Sequence, residues 1–225
     1  MSWLSRCFKH IVKRIVKSSI PEISCLEYAN EYALYSLIRD SEVSKFVKLY
    51  PSYHVLNSKI GDYTYVANNS VITMTEIGKF CSIGPNFLCG WGIHPTNGIS
   101  TAPMFYSTRM QNGITFSEEN KVEERKLIKI GNDVFIGANV TILDGVTIGD
   151  GAVIGAGAVV SKDIPAYAVA VGTPIRIIHY RFSEDIRKRL LNLKWWNFGQ
   201  DGLNDVEKYF LDVEAFLEKY ERVIM

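Results

Sequence analysis

Histidine is the side chain that most readily changes charge near neutral pH, so proton-transfer chemistry in this chain starts from its four histidines, His10, His54, His94 and His179. His10 lies among Lys9, Lys13 and Arg14, while His54 and His179 stand ahead of and after a long repetitive region. Only His94 falls where that repeat gives way to a long non-repetitive stretch, 93–129. A base at the mouth of a loop carried by a rigid scaffold is well placed to take a proton from a bound hydroxyl or amine. Zinc chemistry needs three or four converging ligands, and the repeat offers only His94. The four cysteines, Cys7, Cys25, Cys81 and Cys89, have no CxxC or paired spacing, so a disulfide framework is not expected. Cys81 and Cys89 occupy repeat positions suited to small core residues.

The repeat that must position His94 is clearest from Ile130 to Pro165, six consecutive hexads led by Ile130, Ile136, Ile142, Ile148, Ile154 and Val160. Glycine follows at Gly131, Gly137, Gly149 and Gly155, and a second apolar residue recurs at Val134, Val140, Val146, Ala152, Ala158 and Ile164. A helix with 3.6 residues per turn cannot keep a stationary face at this period. Short stacked strands joined by turns can, each rung burying its aliphatic against the next. Upstream, Ile60, Val66 and Ile72 keep the same rhythm, one residue is lost, and Ile77, Ile83 and Cys89 resume it. The fold expected is mainly β, a parallel solenoid over 58–179 interrupted by the excursion 93–129. Within the excursion, SEENKVEERK reads as a solvated charged segment.

At 225 residues the chain is long enough for one core with appendages, and its formal charge of +1 gives no reason to expect a nucleic-acid surface. No apolar run approaches membrane-spanning length, and the N-terminus lacks the pattern of a signal peptide, so a cytoplasmic location is expected. Residues 1–57 read as a helical segment. Leu4, Phe8, Ile11 and Ile15 follow helical spacing among Arg6, Lys9, Lys13, Arg14 and Lys17. That pattern fits a helix docked on its own domain or a neighbouring subunit, and also one resting peripherally on the inner face of a membrane. A weaker helical pattern follows over 23–39. Residues 180–225 read as a second helical segment. Ser183 is its first cap, and a final helix capped by Asn204 carries Val206, Phe210, Val213, Leu217 and Tyr220.

The motifs GKFCSIGPN, GIHPTNGISTAPMFYS, GAGAVVSKDIPAYAVAVGTPIRII and LLNLKWWNF give these hexads a close resemblance to the left-handed β-helix acetyltransferases of the hexapeptide-repeat family. The likeness is to the xenobiotic and polysaccharide O-acetyltransferase branch and covers roughly residues 60 to 200. It implies a left-handed coil, a handedness that spacing alone does not reveal. It also implies a homotrimer, acetyl-CoA as co-substrate without a metal, and direct transfer with His94 as general base. By position, Ala138 and Ala156 match residues beside the pantetheine arm. Ser161 and Lys162 match a polar pair near the nucleotide, and Arg176 a basic residue facing the CoA phosphates. Where many relatives carry a second basic residue, this chain has His179. Ser100, Thr101 and Tyr106 are candidates to line the acceptor site, and Glu118, Glu119 or a backbone carbonyl to orient His94. A backbone N–H is the default oxyanion donor.

The acceptor implied is a sugar hydroxyl of a bacterial surface polysaccharide or its precursor. An amino-sugar N-acetyltransferase and an antibiotic O-acetyltransferase are the alternatives. A non-enzymatic scaffold would need neither His94 nor a long loop, and zinc carbonic anhydrases on the same coil would need three histidines.

Overall fold

Inward-pointing aliphatics at a five- or six-residue interval wind the chain around a triangular core with three parallel sheets as its faces. A computed structural model describes residues 11, 12, 15 and 36–224. Ile11, Val12 and Ile15 are helical and exposed; the rest of the helix expected over 1–20, residues 23–35 of the second helical pattern, and Cys7 and Cys25 lie outside the described residues.

The first face stacks β1 (Leu37–Arg39), β4 (Tyr53–Leu56), β7 (Ser70–Thr73), β10 (Leu88–Cys89), β13 (Thr141–Ile142) and β16 (Val159–Val160). The second stacks β2 (Glu42–Val43), β5 (Lys59–Ile60), β8 (Thr75–Ile77), β11 (Ile128–Ile130) and β14 (Thr147–Ile148). The third stacks β3 (Lys48–Leu49), β6 (Tyr65–Val66), β9 (Ser82–Ile83), β12 (Phe135–Ile136), β15 (Val153–Ile154) and β17 (Ala168–Val171), with β18 (Arg176–Tyr180) closing it antiparallel. The coil therefore starts at Leu37. Residues 37–57, expected to belong to the N-terminal helical segment, form its first turn and the start of its second.

Registry carries the inward residues into continuous ladders. Val55, Ile72, Cys89, Ile142 and Val160 line one face. Ile60, Ile77, Ile130 and Ile148 line the second, and Val66, Ile83, Ile136 and Ile154 the third. All are buried, most at 0–2% exposure, so each β-branched side chain contributes about 1.5–3 kcal/mol of burial. Cys89 fills its rung and Cys81 is equally enclosed, and burial pushes both thiols up to about 12, which keeps them unreactive. Before the excursion, strand partners stand seventeen residues apart (Tyr53 with Ser70); after it they stand eighteen apart (Thr141 with Val159) until the last turn, where Val153 pairs with Val169 at sixteen. The residue lost between Ile72 and Ile77 is thus a feature of each early turn, at the corner between the first and second faces. The excursion leaves from that same corner.

The corners are as tight as the core. A Cβ on Gly137 would come within 2.5 Å of the Ala156 backbone nitrogen one turn on, so only glycine lets these turns stack. At the corner between the second and third faces, Phe46, Tyr63 and Phe80 form a ring column with centroids 5.3 and 4.9 Å apart. Trp195 caps it, 5.1 Å from Phe80, and Lys79 Nζ donates to the Trp196 carbonyl and Asn197 Oδ1. The paired tryptophans thus dock the C-terminal segment on the coil.

That segment holds α1 (Glu184–Leu193), α2 (Gln200–Lys208) and α3 (Val213–Ile224). Ser183 caps α1 as expected, its hydroxyl accepting from the Ile186 N–H. The expected single final helix is instead broken at 209–212. Asp212 accepts from the Ala215 N–H and starts a new helix, and Asn204 lies inside α2 rather than at its cap. Arg189 joins α1 to α3 through a bidentate pair with Glu221 and a contact to Glu214. Ile136→Ala is expected to lower the unfolding free energy by about 2–5 kcal/mol, read from denaturant unfolding monitored by circular dichroism.

Candidate active site

His94 sits five residues past the end of β10, and the chain between them is held at every backbone nitrogen. Gly90 N–H continues the sheet to the Ile142 carbonyl. The next two, from Trp91 and Gly92, both donate to Asp144 Oδ2 at 2.9 Å, and Ile93 N–H donates to the Glu124 carbonyl at 2.8 Å. Gly92 takes φ +117, a conformation that L side chains rarely adopt.

Asp144 also fastens the other end of the excursion. Its Oδ1 accepts from Arg125 Nε at 3.1 Å and from the Lys126 N–H at 3.2 Å, and its side chain is only 2% exposed. Burial works against the carboxylate's charge. The Gly92 and Lys126 N–H groups and the Arg125 guanidinium outweigh it and hold the pKa below the ordinary 3.8. The stability linked to this ionisation is therefore fully present above pH 3.8 and is lost as pH falls below it. Arg125 continues from Asp144 to the Thr73 hydroxyl on the turn beneath.

Glu124, 9% exposed in its side chain, receives Ser107 Oγ at 2.7 Å and Gln111 Nε2 at 2.6 Å. The charged stretch expected to be wholly solvated thus supplies Glu124 and Arg125 to the structural centre of the loop. Neither they nor Asp144 stood out in the sequence. Asp144 sits in the hexad ILDGVT as an ordinary turn residue, and its partners are 18–53 positions away.

The imidazole is exposed, but its orientation is fixed. Nδ1 lies 3.0 Å from the Thr101 carbonyl and 2.9 Å from the Tyr106 hydroxyl. The Tyr106 hydroxyl in turn lies 3.4 Å from the same carbonyl. A carbonyl can only accept, so the consistent assignment puts the proton on Nδ1 and has Tyr106 donate to Thr101. Nε2 then keeps its lone pair. A backbone carbonyl orients the ring, and Glu118 and Glu119 are exposed elsewhere on the loop. Tyr106 is 5% exposed, and burial followed by the charge of Glu124 raises its pKa, so it stays neutral. Ser100 Oγ accepts from the Ala102 N–H and shapes the turn that presents Thr101.

A family profile described as "Bacterial transferase hexapeptide (six repeats)" matches residues 128–162. A chloramphenicol acetyltransferase from Morganella morganii is 37% identical over 151 residues, 65% of this chain and 70% of that protein. The chain belongs to the hexapeptide-repeat acetyltransferases. Its coil is the left-handed parallel β-helix of that family. A hexapeptide-repeat acetyltransferase from Vibrio cholerae O1 biovar eltor, solved with acetyl coenzyme A, superposes with a TM-score of 0.53. It is 30% identical, covering 72% of this chain and 83% of that one. A galactoside acetyltransferase solved with coenzyme A superposes at 0.51 with 28% identity, covering 75% of this chain and 84% of that one.

The other residues singled out in this acetyltransferase's sequence fall at two corners. Ala138 and Ala156 stack on one another at the corner between the third and first faces. There Gly157 N–H donates to the Ala138 carbonyl and Thr173 Oγ1 to the Gly157 carbonyl. Arg176, exposed, follows from the same corner on the last turn. A Cβ built on Gly157 meets nothing within 4 Å, so the space beside that residue is open. Ser161 and Lys162, both exposed, lie instead at the corner between the first and second faces, above His94's point of departure. The width of the first face separates the two groups within one chain. Nitrogen-15 NMR is expected to show neutral His94 as the Nδ1–H tautomer, and Tyr106→Phe is expected to keep it, because the Thr101 carbonyl still accepts from Nδ1.

Proposed function

We propose that this acetyltransferase moves the acetyl group of acetyl-CoA to a sugar hydroxyl, on a bacterial surface polysaccharide or its precursor, with His94 as general base. The observation that carries this reading is the Nδ1 contact with the Thr101 carbonyl, which leaves Nε2 as the lone-pair nitrogen of an exposed ring at the mouth of the excursion. His94 Nε2 takes the proton of the acceptor hydroxyl as its oxygen bonds to the acetyl carbon. The carbon–sulfur bond then breaks, and the same imidazolium returns the proton to the departing thiolate. Holding both substrates in one ternary complex removes the need for an acylated residue.

Ala138 and Ala156 fit a pantetheine arm because their small side chains leave the corner's backbone open to close approach. Arg176 offers a fixed charge for the CoA phosphates at the end of the same line. Ser161 and Lys162 meet the nucleotide end from the other corner. That division makes one chain insufficient, and a homotrimer brings the His94 corner of one subunit beside the Ala138 and Ala156 corner of the next. Ser100, Thr101 and Tyr106 frame the acceptor side, Thr101 and Tyr106 through their hold on His94. Location is constrained only by the finding that no helix among the described residues is long and apolar enough to cross a membrane.

The likeness to a galactoside acetyltransferase supports a sugar acceptor, and the likeness to a chloramphenicol acetyltransferase favours a second reading, an antibiotic hydroxyl. Thiol release from acetyl-CoA across panels of sugars, amino sugars and antibiotics separates these, with the highest kcat/KM expected on a sugar hydroxyl. His94→Ala is expected to lower kcat by about 10²–10⁴-fold while acetyl-CoA binding, read by calorimetry, persists. Unchanged thiol release would remove His94 from the chemistry.

A further inference from the structure

The coil uses aspartates repeatedly at its corners. Asp150 Oδ1 accepts from the backbone and side-chain nitrogens of Asn132, both at 2.7 Å, and Asp163 Oδ1 accepts from the Thr147 N–H at 2.7 Å. Each of these ties one turn of the coil to the next. Asp144 belongs to the same series by position, but the neighbouring corner that its four hydrogen bonds reach is the one where the excursion leaves and returns. Two go to the strand exit leading to His94, and two to the returning end of the excursion.

We propose that Asp144, with Arg125, is the positioning pair that sets the place of His94 relative to the coil; the inference rests on the reading of His94 as the base. The hold on His94 has two parts. The Thr101 carbonyl and Tyr106 set the rotation of the ring, and both belong to the excursion itself. Asp144 sets where that excursion stands on the rail, because it is anchored on the turn after β13 and grips both ends of the loop at once. A carboxylate with two oxygens suits this task and an amide does not. Oδ2 takes two donors from the outgoing strand while Oδ1 takes two from the returning one, so Asn would point N–H groups at one pair. The guanidinium gives the carboxylate its partner charge in a buried setting and passes the anchorage on to Thr73. A displacement of about 1 Å in a catalytic base costs on the order of 10²-fold in rate, which is the scale of effect this pair governs.

The test compares purified full-length Asp144→Asn, Arg125→Gln and Arg125→Lys with Asp150→Asn as the corner control. Asp144→Asn is expected to lower kcat for acetyl transfer by about 10–10²-fold with the KM for acetyl-CoA within about twofold of the parent. Nitrogen-15 NMR of the same variant is expected to keep His94 as the Nδ1–H tautomer, because the Thr101 carbonyl and Tyr106 move with the loop that carries the ring. Arg125→Gln is expected to fall between the two, and Arg125→Lys to recover part of the loss. Asp150→Asn is expected to lower the melting temperature while kcat and the His94 tautomer stay at parental values. If Asp144→Asn does not fold, Arg125→Gln decides, since both backbone bonds to Oδ2 survive in it. Parental kcat in Asp144→Asn or, failing that, in Arg125→Gln overturns the proposal, as does a loss of equal size in Asp150→Asn. Full activity in His94→Ala overturns the function reading and this inference together. A dead His94→Ala beside a fully active Asp144→Asn overturns this inference alone.

Discussion

Coil-on-coil registry is the constraint from which the rest of this structure follows. Each turn contributes one inward aliphatic per face, and the ladders they form are continuous from Val55 through Val160. The backbone hydrogen bonds between turns fix that registry, and corner glycines such as Gly137 let the turns approach closely enough to make them. A shift of one residue on any turn would turn its aliphatics outward and its exposed partners into the core. Registry therefore behaves as an all-or-none property of the stack, and it gives the corners fixed positions relative to one another.

Fixed corners matter because the proposed site residues are divided among them. The excursion leaves the rail between β10 and β11 and returns without breaking the ladder, since Leu88 pairs with Val71 before it and Thr141 after it. Inside the excursion, order comes from buried polar contacts. Glu124 and Asp144 accept hydrogen bonds from residues spread across the loop, and Ser107, at 0% exposure, is one of their partners. Large apolar side chains such as Ile99, Phe116 and Trp91 remain outside. A loop held this way keeps a defined shape with little core of its own, and its apolar surface stays exposed.

The hexads made the later turns legible down to individual rungs, because Ile-Gly at a six-residue interval has no competing structural explanation. The first turn was hidden: Val43 and Leu49 point inward without a following glycine, and the five-residue step to the second face breaks the rhythm. The position of His94 at the mouth of the excursion was legible from the end of the repeat. The Thr101 carbonyl that orients it was one of several open choices, since a backbone group leaves no mark in sequence. Asp144, Glu124 and Arg125 were illegible for a different reason. Their roles depend on contacts across up to 53 residues, and in isolation each resembles a solvated turn charge. The break between α2 and α3 was missed because Asp212 caps a helix inside what reads as one amphipathic run.

The account's central claim is that His94 works against the small-residue corner of a neighbouring subunit, since the two lie at opposite edges of one face within a chain. Subunit complementation tests it most directly. His94→Ala removes the proposed base, and Ala156→Trp fills the open corner, so each variant on its own should be inactive. Co-refolding the two is predicted to restore acetyl transfer, because some interfaces then pair an intact His94 with an intact Ala156. Mixed assemblies that form but remain inactive at every ratio would contradict the claim.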